Sequence, residues 1–130
     1  MLVVGSGNVV HNIRRVDFSQ PDAGFDWARR FDEAARELMT EGDPTSLFTL
    51  GAHPDFRAAV PTPDHFLPLA YLAGLAGAAN DRADVLVDGY AAGSLSMTAY
   101  TLDATCPDID PSAGPAAELP ADVPADGTNL

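Results

Sequence analysis

Leu2-Val3-Val4-Gly5-Ser6-Gly7-Asn8-Val9-Val10-His11-Asn12 is the stretch on which the reading of the fold turns. A short apolar run of β-branched character, stopped at once by Gly-Ser-Gly, reads as a buried strand ending in a tight turn. A single strand must pair with others to satisfy its backbone, so this opening predicts a sheet. The turn delivers His11 just beyond the strand, where α/β enzymes place functional groups.

Working outward, residues 25–41 carry the clearest helical pattern. Trp27, Ala28, Phe31, Ala34, Ala35, Leu38 and Met39 recur at intervals of three and four, with Arg29, Arg30, Asp32, Glu33, Arg36 and Glu37 between them. Gly42 and Pro44 end it, and a short helix is expected from Pro44 to Leu50. In Pro61-Thr62-Pro63-Asp64-His65-Phe66-Leu67-Pro68-Leu69, Thr62 suits an N-cap and Pro63 a first helical position. That predicts a helix from Pro63 to about Gly77, with His65 in its first turn and Leu67, Tyr71, Leu72 and Leu75 feeding the core. Val85–Val87 and Leu95–Leu102 read as strands set apart by Gly89 and Gly93. After Leu102 prolines interleave with Asp, Ala and Gly, which predicts a disordered acidic tail over 103–130 behind a folded portion at 1–102.

Composition excludes several classes of function. Nineteen acidic residues face seven basic ones, all arginine, and the net charge of −12 repels a phosphate backbone. Nucleic acid is therefore not expected as a partner. No segment approaches the roughly 18 apolar residues of a membrane span. The N-terminal residues lack a basic region followed by an apolar run, so no secretory signal is expected and the cytoplasm is the expected location. Cys106 is the only cysteine, which rules out an internal disulfide and a cysteine-based zinc cluster.

Chemistry then rests on three histidines. Histidine ligates metals and exchanges protons near neutral pH without a large shift from its environment. His11 reads either as a satisfied, partly buried side chain or as a general base or metal-site residue. His65 has the same two readings, and a helix N-terminus would favour its neutral, metal-binding form. Asp64, about 100° away around a helix, is expected to serve the helix dipole rather than share a metal with His65. His53, between Gly51-Ala52 and Pro54, reads as a loop residue or a pocket-lining one. The carboxylates Asp32, Glu33 and Glu37 are expected on a solvated helix face. Gly5-Ser6-Gly7 lacks the third glycine of a dinucleotide fingerprint and the spacing of a nucleophile elbow.

Together the two histidine segments resemble those of the class III extradiol ring-cleavage dioxygenases, in the branch similar to 4,5-DOPA dioxygenase within the protocatechuate 4,5-dioxygenase catalytic-subunit superfamily. Gly5-Ser6-Gly7-Asn8-Val9-Val10-His11-Asn12, with Ile13-Arg14-Arg15, is similar to the catalytic-histidine segment of that branch. Pro61 to Leu69 resembles its late metal-ligand segment, written Thr-Pro-Glu-His-Tyr-Leu-Pro-Leu. Trp27-Ala28 with Phe31 resembles the intervening helix, and Gly93-Ser94-Leu95-Ser96-Met97 the closing strand. The resemblance runs in order from residue 2 to about 102. It implies the C-terminal part of a mixed-sheet α/β domain with flanking helices, holding Fe(II) or Zn(II) and cleaving a small catecholic substrate with O2. It implies His65 as a metal ligand and His11 as the acid–base residue, or as a further metal ligand where zinc occupies the site.

No histidine precedes His11, whereas the family's other two metal-binding histidines lie in an N-terminal half. The expectation is a C-terminal portion, from a shortened gene or a misplaced start, inactive alone and prone to self-association through an uncovered apolar face. Two alternatives stand beside it. The chain is one half of a split enzyme whose partner supplies the missing half, or it is a non-catalytic binding or scaffold remnant of the fold.

Overall fold

The computed structural model describes residues 3–103. The expected tail at 103–130 lies outside the described residues apart from Asp103.

Helix α1, Asp26–Thr40, forms where the periodicity placed it. Its inner stripe of Ala28, Phe31, Ala35 and Met39 is fully buried. Phe31 also lies among Phe56 and Phe66, with ring centroids 6.0 and 6.1 Å away. Pro44–Ala52 follows as a run of 3-10 turns in which the Asp43 carboxylate accepts the Thr45 N–H, burying Leu47 and Leu50. A single helical turn, α2 (Phe56–Ala59), leads to the Pro61–Phe66 turns and then to α3, Leu67–Ala79. Asn80 closes α3 in the left-handed conformation that an asparagine tolerates.

Four short strands complete the element order: β1 Asp84–Val87, β2 Tyr90–Ala91, β3 Leu95–Ser96 and β4 Ala99–Thr101. β1 pairs antiparallel with β4 across a bulge, and β2 pairs antiparallel with β3. The chain is thus α/β, with helices packed beside two small antiparallel pairs. None of the described helices is long and apolar enough to cross a membrane.

Several expectations need correction. Val3 and Val4 form no strand and are largely exposed, Val4 at 81%. Burial falls instead on Val9 and Val10, because that segment is the one that hydrogen-bonds into the fold: the Ser96 N–H donates to the Val10 carbonyl and the His11 N–H to the Ala59 carbonyl. Second, α3 begins at Leu67 rather than Pro63. In a helix starting at Pro63, Pro68 would sit in the interior, lacking an N–H for Asp64 and pressing its ring on that carbonyl. In the first turn of α3 neither penalty arises. Third, Tyr71, Leu75 and Leu67 lie on the outer side of α3, while Leu69, Ala73 and Ala76 face inward. Apolar residues occur all round this helix, so periodicity alone does not choose its buried face.

The expected strand from Leu95 to Leu102 is divided into β3 and β4. Its front end is set by Gly93, which has a φ of +77° and a Phe25 ring packed where a side chain would go. Only glycine suits both demands.

Candidate active site

The segment 8–12 threads between two neighbours that fix its backbone on both sides. On one side, His11 bridges antiparallel to Leu95. The Asn12 N–H donates to the Ser94 carbonyl at 3.2 Å, and the Ser94 hydroxyl donates back to the Asn12 carbonyl at 2.8 Å. On the other, the Asn12 side-chain amide donates to the Ala58 carbonyl at 2.8 Å. Its carbonyl oxygen accepts the Arg14 N–H, starting a single 3-10 turn.

This segment also holds the second histidine. The Asn8 N–H donates to the His65 carbonyl at 2.9 Å. Gly7 makes that approach possible, because a Cβ there would run into the same carbonyl oxygen. The outcome is that His11 and His65, from distant parts of the chain, stack with ring centroids 3.6 Å apart and an interplanar angle of 18°.

The surroundings act on the charge of His11. Burial lowers the pKa of His11 first, the neighbouring His65 lowers it further, and Asp64 opposes both. Asp64 itself lies within 3.3 Å of His65 Nε2. A hydrogen bond from Thr62 is the main cause holding its carboxyl below the usual range. The expectation that Asp64 would stand apart from His65 is therefore corrected. Both residues belong to a turn, not a helix, so the 100° separation never applies.

His65 borders an open, mainly apolar cleft of about 400 Å³, lined also by Val4, Pro68, Leu72, Leu86 and Tyr100. The Tyr100 hydroxyl is buried with no hydrogen-bond partner among the described residues. His53 takes no part in the pair's stacking. Its Nδ1 accepts the Asp55 N–H at 3.1 Å and its ring meets Phe31 edge-on at 5.4 Å.

One residue set on the solvated face by the sequence reading belongs inside. Asp32 is fully buried and accepts three hydroxyl hydrogen bonds: Ser96 at 2.6 Å, Thr98 at 2.8 Å and Tyr90 at 3.2 Å. The signal was present in the sequence. Ala28, Asp32, Ala35 and Met39 share one stripe at helical spacing, and three hydroxyl residues of the 90–98 segment stand ready to satisfy it.

Among described residues, no group of three or more His, Cys, Asp or Glu is placed to hold a metal ion. The arrangement does supply one imidazole bordering a cleft and a second imidazole in van der Waals contact with it.

Comparisons with known proteins bear on the relationship and the fold. No family model matches the chain. It is 35% identical over 100 residues to the 4,5-DOPA dioxygenase extradiol of Escherichia coli K12, over 75% of this chain and 36% of that protein. A crystal structure of an uncharacterized protein from Escherichia coli K12 superposes with a TM-score of 0.58 at 34% identity, covering 72% of this chain and 39% of the other. The chain thus spans a little over a third of the length of each. These matches establish an extradiol-dioxygenase-like relationship and a partial dioxygenase-like α/β fold.

Proposed function

We propose that this chain carries part of the active site of a cytoplasmic, metal-dependent extradiol dioxygenase that opens catecholic rings of the DOPA type. His65 serves as a metal ligand and His11 as the acid–base residue. The observation that carries this reading is the stacked contact of His11 with His65 beside an apolar cleft.

The donor set fits a metal in part. Imidazole lone pairs lie in the ring plane, so two rings stacked at 18° direct them along nearly parallel planes rather than to one point. Such a pair suits one ligand with a proton-handling neighbour better than two ligands on one ion. For His11 to ligate as well, its ring would have to leave the stack. The remaining ligands would come from outside the described residues.

When bound, Fe(II) or Zn(II) supplies a Lewis-acid centre with open positions for a catecholate and, on iron, for dioxygen. His11 supplies proton handling. Its lowered pKa keeps the ring uncharged near neutral pH, so it can accept a catechol proton and later return it. The apolar cleft walls offer a face against which an aromatic ring can lie beside His65.

A second reading, one half of a split enzyme, draws support from exposed apolar surface beside the site. Val3, Val4 and Leu86 line the cleft and remain 64%, 81% and 49% exposed. A partner chain seated there would cover them and bring the missing ligands.

Calorimetric titration of Zn(II) into the chain combined with the protein part that supplies the remaining ligands tests the assignment. His65→Ala should abolish binding and His11→Ala should largely retain it; binding by His65→Ala as tight as wild type would sink the reading. Oxygen uptake with DOPA or protocatechuate after Fe(II) loading should show no turnover by the chain alone. Appreciable turnover would mean that the ligand set is complete within it.

A further inference from the structure

α1 brings one carboxylate wholly into the interior, and its three partners are all hydroxyls of the β2–β4 segment. A buried carboxylate held by neutral donors costs more to bury than an apolar side chain of similar size. Its place therefore calls for an explanation beyond filling space.

The connections of Ser96 supply one. Its hydroxyl gives Asp32 the shortest of the three hydrogen bonds, at 2.6 Å. Its backbone N–H donates to the Val10 carbonyl at 3.0 Å, immediately before His11. Its carbonyl accepts the Asn8 side-chain amide at 2.7 Å. Asn8 is the residue whose N–H holds the His65 carbonyl. A single residue thus joins the Asp32 carboxylate to the backbone on which both histidines hang. Each link is a hydrogen bond among buried or half-buried groups, where an unmade bond is expensive and geometry is held tightly.

We infer that Asp32 is a positioning residue for the His11–His65 pair, acting through Ser96. It touches neither ring. It sets the depth of β3 against α1, and β3 sets where segment 8–12 runs and hence how the imidazoles overlap. Thr98 provides an internal contrast. It gives the same carboxylate a bond of 2.8 Å, yet its backbone makes no hydrogen bond to segment 8–12. A merely structural role for Asp32 would make Ser96 and Thr98 equivalent. A positioning role would not.

The meaning of this device for catalysis rests on the proposed function, but its test needs neither metal nor substrate. Histidine-ring NMR signals of the full chain, assigned with His11→Ala and His65→Ala, report the stack through the ring-current displacement each imidazole imposes on the other. Ser96→Ala keeps every backbone–backbone bond and removes one hydroxyl, which besides donating to Asp32 accepts the Thr98 N–H at a long 3.4 Å, so the fold should survive. It should lose most of the displacement. Thr98→Val, with a comparable loss of stability by urea denaturation, should retain it. Asp32→Asn should also retain it, since the carboxamide oxygen still accepts the Ser96 hydroxyl, while Asp32→Ala should not. Equal displacement loss in Ser96→Ala and Thr98→Val, or no loss in Ser96→Ala, would overturn the inference. Failure of the catalytic reading would appear separately, as undiminished Zn(II) binding by His65→Ala.

Discussion

The imidazole of His11 lies flat on that of His65, centroid to centroid at 3.6 Å. Burial is the first cause of the lowered His11 pKa and His65 the second, with Asp64 pulling the other way. Replacing His65 with alanine removes the second cause and part of the first, leaving Asp64 in place. In His65→Ala, His11 should therefore titrate closer to its ordinary value of 6.5 than in the wild type. NMR titration of the His11 ring protons reads this directly. A pKa that stayed put or fell further would mean that the two rings do not sense each other.

Gly7 supports the same contact from below. A methyl group at this position meets the backbone carbonyl oxygen of His65 and lies 3.0 Å from Pro68 Cγ. A backbone carbonyl cannot rotate away as a side chain could, so Gly7→Ala should cost roughly 1–3 kcal/mol, as overpacking does. Gly74→Ala offers the opposite case. Gly74 lies inside α3 with nothing within 4 Å of an added Cβ, so the change should stabilise by about 1 kcal/mol. Urea midpoints of the two variants should fall on opposite sides of the wild type.

Much of this arrangement was legible from residue order, and the failures have physical causes. α1 was legible because Trp27 through Met39 alternates apolar and polar residues at helical spacing, and such a stripe has one good partner, the core. The two histidine segments were legible as candidates because glycine and proline bracket them. Val3 and Val4 misled because β-branched residues mark a strand only when another strand lies alongside, and among the described residues none pairs with them. α3 misled in its buried face because alanine and leucine occupy every side of it. Asp32 was missed because a carboxylate is ordinarily assigned to solvent. Its burial depends on Tyr90, Ser96 and Thr98, which are remote in sequence and meet it only after the chain has folded. The stacked contact itself could not be read from spacing, since it depends on the Asn8–His65 backbone hydrogen bond.

Phe31 is the hub of the interior on which the site is built. It is fully buried, with aromatic neighbours on α2, at the head of α3 and at His53. Phe31→Ala leaves a cavity shared by these elements and should cost about 3–5 kcal/mol. The loss should also release the edge-on contact that holds His53. Denaturant unfolding gives the first quantity, and a changed His53 ring shift the second. A cost below about 1 kcal/mol would mean that the elements close up around the gap.

Asp32 makes stability depend on pH in an unusual direction. Burial is the leading cause raising its pKa above 3.8, and the hydroxyls of Ser96, Thr98 and Tyr90 only partly offset it. The folded carboxyl therefore holds its proton to a higher pH than the unfolded one. Between 3.8 and the raised value the native state binds more protons, so this group's contribution to stability is complete below 3.8 and is lost as pH rises through the folded pKa. Most carboxylates of an acidic chain behave in the opposite way, and their summed effect would mask Asp32 in the wild type alone. The difference between Asp32→Asn and wild type isolates it, because asparagine does not titrate. As pH rises from 3.8, that difference should shift in favour of the asparagine variant and then level off once the folded carboxyl has ionised. Urea midpoints measured in parallel across the acid range provide the comparison. A difference that stayed flat, or moved against asparagine, would show that the hydroxyl cradle compensates fully for the buried charge.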